Sequence, residues 1–285
     1  MAILAEGIAK SLSLVHLDLR STECRREGAE ALFAALLKNE TVTCLQMGNI
    51  KGLHSNFLAG KAVCLLNVLL RQSAQLTFLD LKGAGIGNDG LAYILEGLKQ
   101  SKSVRVFNLA FNMINSAGSS LVIEVLANSP IKRLDVSQNA LGRAFRVELS
   151  KYMQNRQYSL THLSLSSCGL VSPGMGELFE ALRKGPYISV LDLDDTHYEE
   201  NELPCIKAFL SHNTTVKSFS MKTCTLGDSG ARVFAEAFSE NCLLEELYLC
   251  NNRISVISAL KIIGRWSDCA SQSDHECEAL QTKMS

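Results

Sequence analysis

Residues 76–90 read LTFLDLKGAGIGNDG, and this stretch decides the fold because it joins two patterns of different period. Its first half places Leu76, Leu79 and Leu81 in a phrase of the form L-x-x-L-x-L, with the apolar alternation that a short, half-buried strand requires. Its second half leads through Gly90 into apolar residues at helical spacing. The predicted unit is therefore one strand followed by one helix.

The phrase recurs along the chain, which indicates a repeat protein. Nine copies begin at residues 14, 42, 76, 104, 131, 160, 188, 216 and 244, and the second copy is six residues longer than the usual 28. Eight residues after the start, several copies carry a residue able to hydrogen-bond the backbone of the turn that leaves the strand. These residues are Asn112, Asn139, Cys168, Cys224 and Asn252.

These residues resemble the leucine-rich repeat, in particular the ribonuclease-inhibitor-like class with units of about 28 residues and a full helix. The resemblance covers residues 1–266, with a partial first repeat at 1–13 before the nine copies, and leaves 267–285 as a polar C-terminal tail. It implies an α/β solenoid with parallel strands on the concave face and helices on the convex face. Strands pack about 4.8 Å apart and helices about 8 to 10 Å apart, so we expect the stack to curve into a horseshoe arc.

Composition limits the partners. The chain is 47% hydrophobic and 20% charged, which predicts a large ordered core. A net charge of −1 offers no general attraction to nucleic acid or to anionic membranes, and no apolar stretch is long enough to span a bilayer. The ten cysteines include no C-x-x-C pair and are interpreted as reduced thiols, so we expect a cytoplasmic protein.

Three groups of residues resemble known chemical sites, but the repeat register or the composition of the tail explains each of them without a catalytic or binding role. The G-x-G-x-x-G phrase from Gly85 to Gly90 resembles a dinucleotide fingerprint, but no acidic residue ends the next strand to bind a ribose. Ser229 lies in a protease-like Gly-Asp-Ser-Gly phrase, but the register places no histidine and aspartate beside it. Cys269, His275 and Cys277 could supply metal ligands but belong to a polar tail. We therefore expect no catalytic residue, cofactor or metal, and no enzyme activity.

The remaining candidate is the concave surface, onto which the strand residues flanking the buried leucines must point. The residues predicted to bind a protein partner are Phe78, Asp80, Phe111, Asp192, Asp194, Asp195, Lys222, Glu246 and Tyr248. Two alternatives stay open at this point. The acidic run that begins at Asp192 is either a docking site for a basic partner or a solvated loop, and Phe111 either anchors a partner or folds back into the turn.

Two further places are candidate contacts. The extra residues of the second repeat lie between Gly48 and Gly60, around Lys51, His54 and Phe57, and form either a neutral insertion or a partner-binding loop. The sequence also starts within a repeat, so the first strand, Leu14 to Leu19, is an uncapped edge at which an end-on contact is possible.

The sequence favours a non-catalytic protein interaction scaffold within a larger assembly, of which cytoskeletal and ciliary complexes are examples. The alternative is a GTPase-activating protein for a Ran-type small GTPase, because the same repeat type builds that family. Arg20, Arg25 and Arg26 would then be the residues that reach the GTPase. A nuclease inhibitor of this class would be strongly acidic, and a net charge of −1 disfavours that role.

Overall fold

The computed structural model describes residues 2–50, 55–154, 160–185, 188–241 and 243–268. Strands and helices alternate along them. The strands are β1 His16–Asp18, β2 Cys44–Gln46, β3 Phe78–Asp80, β4 Val106–Asn108, β5 Arg133–Asp135, β6 His162–Ser164, β7 Val190–Asp192, β8 Ser218–Ser220 and β9 Glu246–Tyr248. The helices are α1 Ala2–Lys10, α2 Arg26–Leu36, α3 Lys61–Gln72, α4 Gly87–Gln100, α5 Ser119–Asn128, α6 Gly142–Met153, α7 Met175–Lys184, α8 Leu203–Ser211, α9 Gly227–Phe238 and α10 at 256–268.

The strands form one parallel sheet. Among the described residues it has nine strands in chain order, β1 to β9, and it does not close. The middle residue of each strand faces the helices and pairs with the middle residue of the next strand, as Leu17 does with Leu45 and Leu45 with Leu79. Each of these three leucines is buried. The α/β solenoid predicted from the repeat is confirmed.

Each helix packs mainly on the helices before and after it, so the core is a continuous layer built from nearest-neighbour contacts. In the second half of the molecule this layer is aromatic. Successive ring centroids lie 5.3 to 6.4 Å apart in tilted, T-shaped and stacked arrangements. The rings belong to Phe179, Phe209, Phe219, Phe234, Phe238 and Trp266.

A ladder of buried polar side chains holds the turns that follow the strands. The Asn139 amide nitrogen donates to the carbonyls of Leu109 and Val136, both at 2.9 Å. Its oxygen accepts the backbone N–H groups of Asn112 and Ile114, both at 3.0 Å. The bond to the turn of its own repeat was predicted from the sequence, and the structure adds the bonds to the preceding repeat, so one side chain satisfies backbone groups of two repeats. Cysteines do part of this work where asparagine is missing, and the Cys168 thiol donates to the Val136 carbonyl at 3.2 Å.

The long second repeat keeps this ladder through Asn56. Its amide nitrogen donates to the Leu19 carbonyl at 2.7 Å and its oxygen accepts the Cys24 N–H at 2.7 Å. The Asn49 side chain closes the base of the insertion, because its oxygen accepts the Asn56 N–H at 2.6 Å. The six extra residues are therefore 50–55. Lys51 and His54 lie outside the described residues.

Both ends of the arc present apolar side chains to solvent. At the N-terminal end, Ile3 is 89% exposed and Leu12 is 91% exposed. At the other end, Val256 and Ile257 of α10 are 76% and 69% exposed. Helix α10 is described through residue 268, two residues past the predicted boundary, and residues 269–285 lie outside the described part of the chain. The end-on contact at the first strand stays a prediction.

Candidate partner-binding surface

The first and third residues of each strand form the concave face, because neighbouring residues of a strand point to opposite sides. In β1 and β4 the middle residue is buried while its two neighbours reach solvent. The structure places Phe78, Asp80, Asp192, Glu246 and Tyr248 at these outward positions. Around the middle strands the face forms a groove with a volume of about 380 Å³.

The third-position side chains also hold the ends of the strands. Asp80 Oδ1 accepts the backbone N–H of Lys82 at 2.9 Å, and Asp192 Oδ1 accepts that of Asp194 at 3.0 Å. This is the local turn bond that short polar side chains make with the backbone two residues further on. Burial raises the pKa of both carboxyl groups, since desolvation disfavours the charged form.

Three predicted residues form one connected cluster across β8, β9 and the turn after β7. Asp194 Oδ1 accepts the Lys222 N–H at 2.7 Å and the Ser220 hydroxyl at 2.5 Å. Asp194 Oδ2 lies 3.0 Å from Lys222 Nζ, and that ammonium lies 5.4 Å from the centre of the Tyr248 ring. The hydrogen bond to Asp194 raises the pKa of Lys222. The cluster offers a half-exposed cation and aromatic ring that are already ordered.

The acidic run after β7 divides in the structure. Asp195 is exposed and accepts the Ser167 hydroxyl at 2.8 Å. Glu202, in contrast, is buried, and its Oε1 accepts the N–H groups of Gly174 and Met175 at 2.6 Å at the start of α7. Glu202 therefore serves the fold, whereas Asp195 is open to solvent.

The predicted residues fall into two groups along the arc. Phe78 and Asp80 lie on β3 with Phe111 in the turn after β4, whereas the others lie on β7 to β9 or in the turns that follow. Phe111 is not buried in the core of the turn, and its role as a partner anchor stays a prediction. Its side chain is 61% exposed and packs beside Gly83.

From the sequence, Phe57 was named within the insertion, as part of a neutral insertion or of a partner-binding loop, and was not counted among the concave residues. It is 55% exposed, and its ring covers the backbone of Gly85. The six-residue insertion hides its register, because Phe57 follows Asn56 as Met113 follows Asn112. Counting from the asparagine instead of from the strand would have found it.

The residues of the dinucleotide-like and protease-like motifs make structural contacts. In the G-x-G-x-x-G phrase the N–H groups of Ile86 and Gly87 donate to the side-chain oxygen and the carbonyl of Asn112, and that of Gly90 donates to the Ile86 carbonyl. The Ser229 hydroxyl donates to Glu200 at 2.9 Å. In the described ranges, no three histidine, cysteine or acidic side chains are grouped to hold a metal ion. Cys269, His275 and Cys277 lie outside those ranges. None of the helices described is long and apolar enough to cross a membrane.

The model of the Leucine Rich repeat family matches residues 72–95 and 212–235, which contain β3 and β8. The structure is similar to the leucine-rich repeat-containing protein LegL7 from Legionella pneumophila, with a TM-score of 0.50 over 93% of this chain and 94% of that one. The two sequences are 18% identical, so the likeness shows the fold alone. The chain is a leucine-rich repeat protein.

This leucine-rich repeat protein is similar in sequence to two mouse NACHT, LRR and PYD domains-containing proteins. It is 29% identical to protein 14 over 65% of the chain and 19% of that relative. It is 28% identical to protein 9C over 84% of the chain and 24% of that relative. The chain thus spans less than a quarter of the length of these two curated relatives.

Two of the three arginines of the GTPase-activating alternative, Arg20 and Arg25, contact acidic residues. Arg20 donates to Asp18 through Nε at 3.0 Å and Nη2 at 2.7 Å, on the exposed end of the leucine-rich repeat arc. Arg25 lies 3.4 Å from Glu23. The alternative stays a prediction, and these contacts give it no support.

Proposed function

We propose that this chain is a non-catalytic interaction scaffold that binds partner protein on the concave sheet and the adjoining loops. The observation that carries this proposal is the cluster of Asp194, Lys222 and Tyr248, in which hydrogen bonds across neighbouring strands hold polar and aromatic groups toward solvent. A surface that is ordered before binding loses little conformational freedom on association.

The two groups of predicted residues supply the anchors. Tyr248 is 42% exposed and Phe111 is 61% exposed, and aromatic side chains of this kind often dominate interface energies. Phe57 adds a second exposed ring near Phe111 on the same rim. A partner that spans both groups would lie along the arc from the turn after β4 to β9.

The setting we propose is a larger cytoplasmic assembly, with cytoskeletal and ciliary complexes as the examples to test. The free cysteines support a reducing compartment, since Cys64 and Cys250 are exposed as thiols on the surface. Rigid repeat arcs suit assembly roles because each repeat adds surface without changing the geometry of its neighbours.

The test is affinity capture with crosslinking mass spectrometry from the native source, using wild type, Tyr248→Ser and the triple variant Asp192→Lys, Asp194→Lys, Asp195→Lys. Tyr248→Ser removes an exposed ring without touching the core, so it separates binding from folding. A triple variant on the helices, Asp89→Lys, Glu148→Lys, Glu177→Lys, makes the same charge change elsewhere.

We expect partners crosslinked near β7 to β9 to be lost from both concave variants and kept by the helix variant. Crosslinks confined to the N-terminal edge or to the insertion would contradict the concave assignment and show that the arc is held by those parts.

A further inference from the structure

The third residue of each strand alternates between aspartate and a neutral polar residue over eight strands. In chain order from β1 to β8 the residues are Asp18, Gln46, Asp80, Asn108, Asp135, Ser164, Asp192 and Ser220. Neighbouring parallel strands lie about 4.8 Å apart, so carboxylates on alternate strands recur about every 9.6 Å along the arc.

The fold does not require these charges. Asn108 makes the same bond as its aspartate neighbours, since its Oδ1 accepts the Ala110 N–H at 2.9 Å, the distance at which Asp135 Oδ1 accepts the Ser137 N–H. An asparagine therefore does the structural work at this position. The negative charge on alternate strands needs a different explanation.

Three of these carboxylates form no salt bridge within the described residues, although Arg20 and Lys82 near Asp80, and Lys222 near Asp192, favour the charged form of those two groups. Arg20 pairs with Asp18, but within the described ranges no lysine or arginine forms an ion pair with Asp80, Asp135 or Asp192. Asp80 is only 7% exposed, and its Oδ2 accepts no hydrogen bond from the described residues. A partially desolvated carboxylate gains from a cation brought by a partner, and burial already raises the pKa of Asp80 and Asp192.

An apolar wall runs beside the carboxylates. The first residue of each strand lies two residues, about 6.7 Å, before the third residue. On β3, β4 and β7 this first residue is Phe78, Val106 and Val190 respectively, and all three line the groove of about 380 Å³. His162 also lines it, and burial and the nearby Arg133 lower its pKa, so the imidazole is mainly neutral at pH 7. Arg133 is the positively charged residue among those that line the groove.

Asp135 and Asp192 line this groove, and Asp80 follows the lining residue Phe78 on β3. We propose that the groove, with Asp80 at its side, binds a polyproline-II segment of a partner protein with a basic residue at every third position and apolar residues between. Such a segment has three residues per turn and rises about 3.1 Å per residue, so one edge repeats every 9.3 Å and matches the carboxylate spacing. An extended β-strand repeats one face at about 6.7 Å and does not match. This inference rests on the proposed scaffold function and names its ligand.

The probe is a fluorescein-labelled synthetic peptide of three Arg-Pro-Leu units, and binding is measured by fluorescence anisotropy. One control peptide has the same composition with its three arginines adjacent, and another replaces arginine by glutamate. The protein variant is Asp80→Asn, Asp135→Asn, Asp192→Asn, which keeps the turn bonds as Asn108 does. The matched control is Asp89→Asn, Glu148→Gln, Glu177→Gln, with the same net charge change on the helices.

We expect wild type to bind the spaced peptide about tenfold more tightly than either control peptide. The concave triple variant should bind the spaced peptide about tenfold more weakly than wild type does. The helix variant should bind like wild type, and Arg133→Ala should bind more tightly because a like charge is removed. Equal binding of the spaced and adjacent-arginine peptides, no binding, or equal binding by both triple variants would overturn the inference. If partner proteins nevertheless crosslink to the concave face, the scaffold function stands and only this ligand is wrong.

Discussion

A single buried asparagine stabilises two repeats at once in this molecule. Asn139 makes hydrogen bonds to backbone groups of its own repeat and of the preceding repeat, and these groups are buried away from water. Because buried donors and acceptors left unpaired cost far more than a hydrogen bond contributes on average, such a residue matters more than its size suggests.

Replacing Asn139 by alanine should lower the free energy of unfolding by about 3 kcal/mol, because it leaves several buried backbone groups unpaired. Asn139→Cys is the matched variant, since Cys168 and Cys224 occupy this position in other repeats and donate to backbone carbonyls. We expect the cysteine variant to fall between alanine and wild type in urea denaturation. Equal stability of all three proteins would show that the ladder is dispensable.

Asp80 should destabilise the fold when it is ionised. Its folded-state pKa lies above the ordinary 3.8, so the stability it contributes is fully present below 3.8 and is lost as pH rises through the raised value. Asp80→Asn keeps the acceptor for the Lys82 N–H. We expect this variant to be more stable than wild type at pH 7 and equally stable below the ordinary pKa, as measured by urea denaturation. A variant that is less stable at pH 7 would contradict the argument.

At the scale of elements, helix α7 begins on a carboxylate from the next repeat. Glu202 accepts the first free N–H groups of the helix, where the helix dipole also favours a negative charge. The bond joins two repeats through a helix end, in addition to the contacts that α7 and α8 make along their length.

Glu202→Ala should lower the free energy of unfolding by about 2 to 3 kcal/mol and increase amide exchange at Gly174 and Met175, since both N–H groups lose their acceptor. Glu177→Ala is the control, because Glu177 is exposed in the first turn of the same helix. Thermal denaturation and hydrogen exchange with mass spectrometry measure the two effects. Unchanged exchange at the start of α7 would rule out the cap.

The insertion offers a second test at this scale. Deleting residues 50–55 brings Asn56 to the position that Asn112 holds in its own repeat. We expect the shortened chain to unfold cooperatively within a few degrees of wild type by circular dichroism, whereas Asn56→Ala in the full-length chain lowers the melting temperature more. A deletion that abolishes cooperative unfolding would mean that the insertion supports the stack.

The sequence predicted the elements well because a buried face repeats with the period of its secondary structure. Strand positions, the concave residues and the role of Asn139 all follow from that register. It could not predict that Lys222 pairs with Asp194 or that Glu202 is buried, because these contacts join residues 28 positions apart through the geometry of the stack. Phe57 was named only as part of the insertion, because the insertion shifts the count of residues from the strand.

At the scale of the whole molecule, the apolar ends contrast with the mixed concave face. Ile257 and Leu260 of α10 are 69% and 61% exposed, and they add to an apolar surface at the C-terminal end of the arc. Exposed patches of this kind promote association in water.

The double variant Ile257→Lys, Leu260→Lys should reduce concentration-dependent association, because it places charges on that end, and should leave the unfolding midpoint nearly unchanged. Sedimentation velocity at several concentrations measures the association. Tyr93→Lys is the control, since Tyr93 is 61% exposed on α4 in the body of the arc. Association that is equally reduced by the control, or by neither variant, would show that the C-terminal end is not responsible.

Asn56 shows how this molecule accommodates an insertion in one repeat. The ladder hydrogen bonds of the second repeat are made by Asn56, six residues later in sequence than in a repeat of ordinary length, so the number of residues before a ladder asparagine can change while its place in the stack does not. Any of the equivalent turns that ends on a ladder asparagine is therefore a place where a foreign peptide could be grafted without moving its neighbours. The stacked repeats thus keep a fixed spacing, and loops of different length and chemistry can be attached to them along one edge of the sheet.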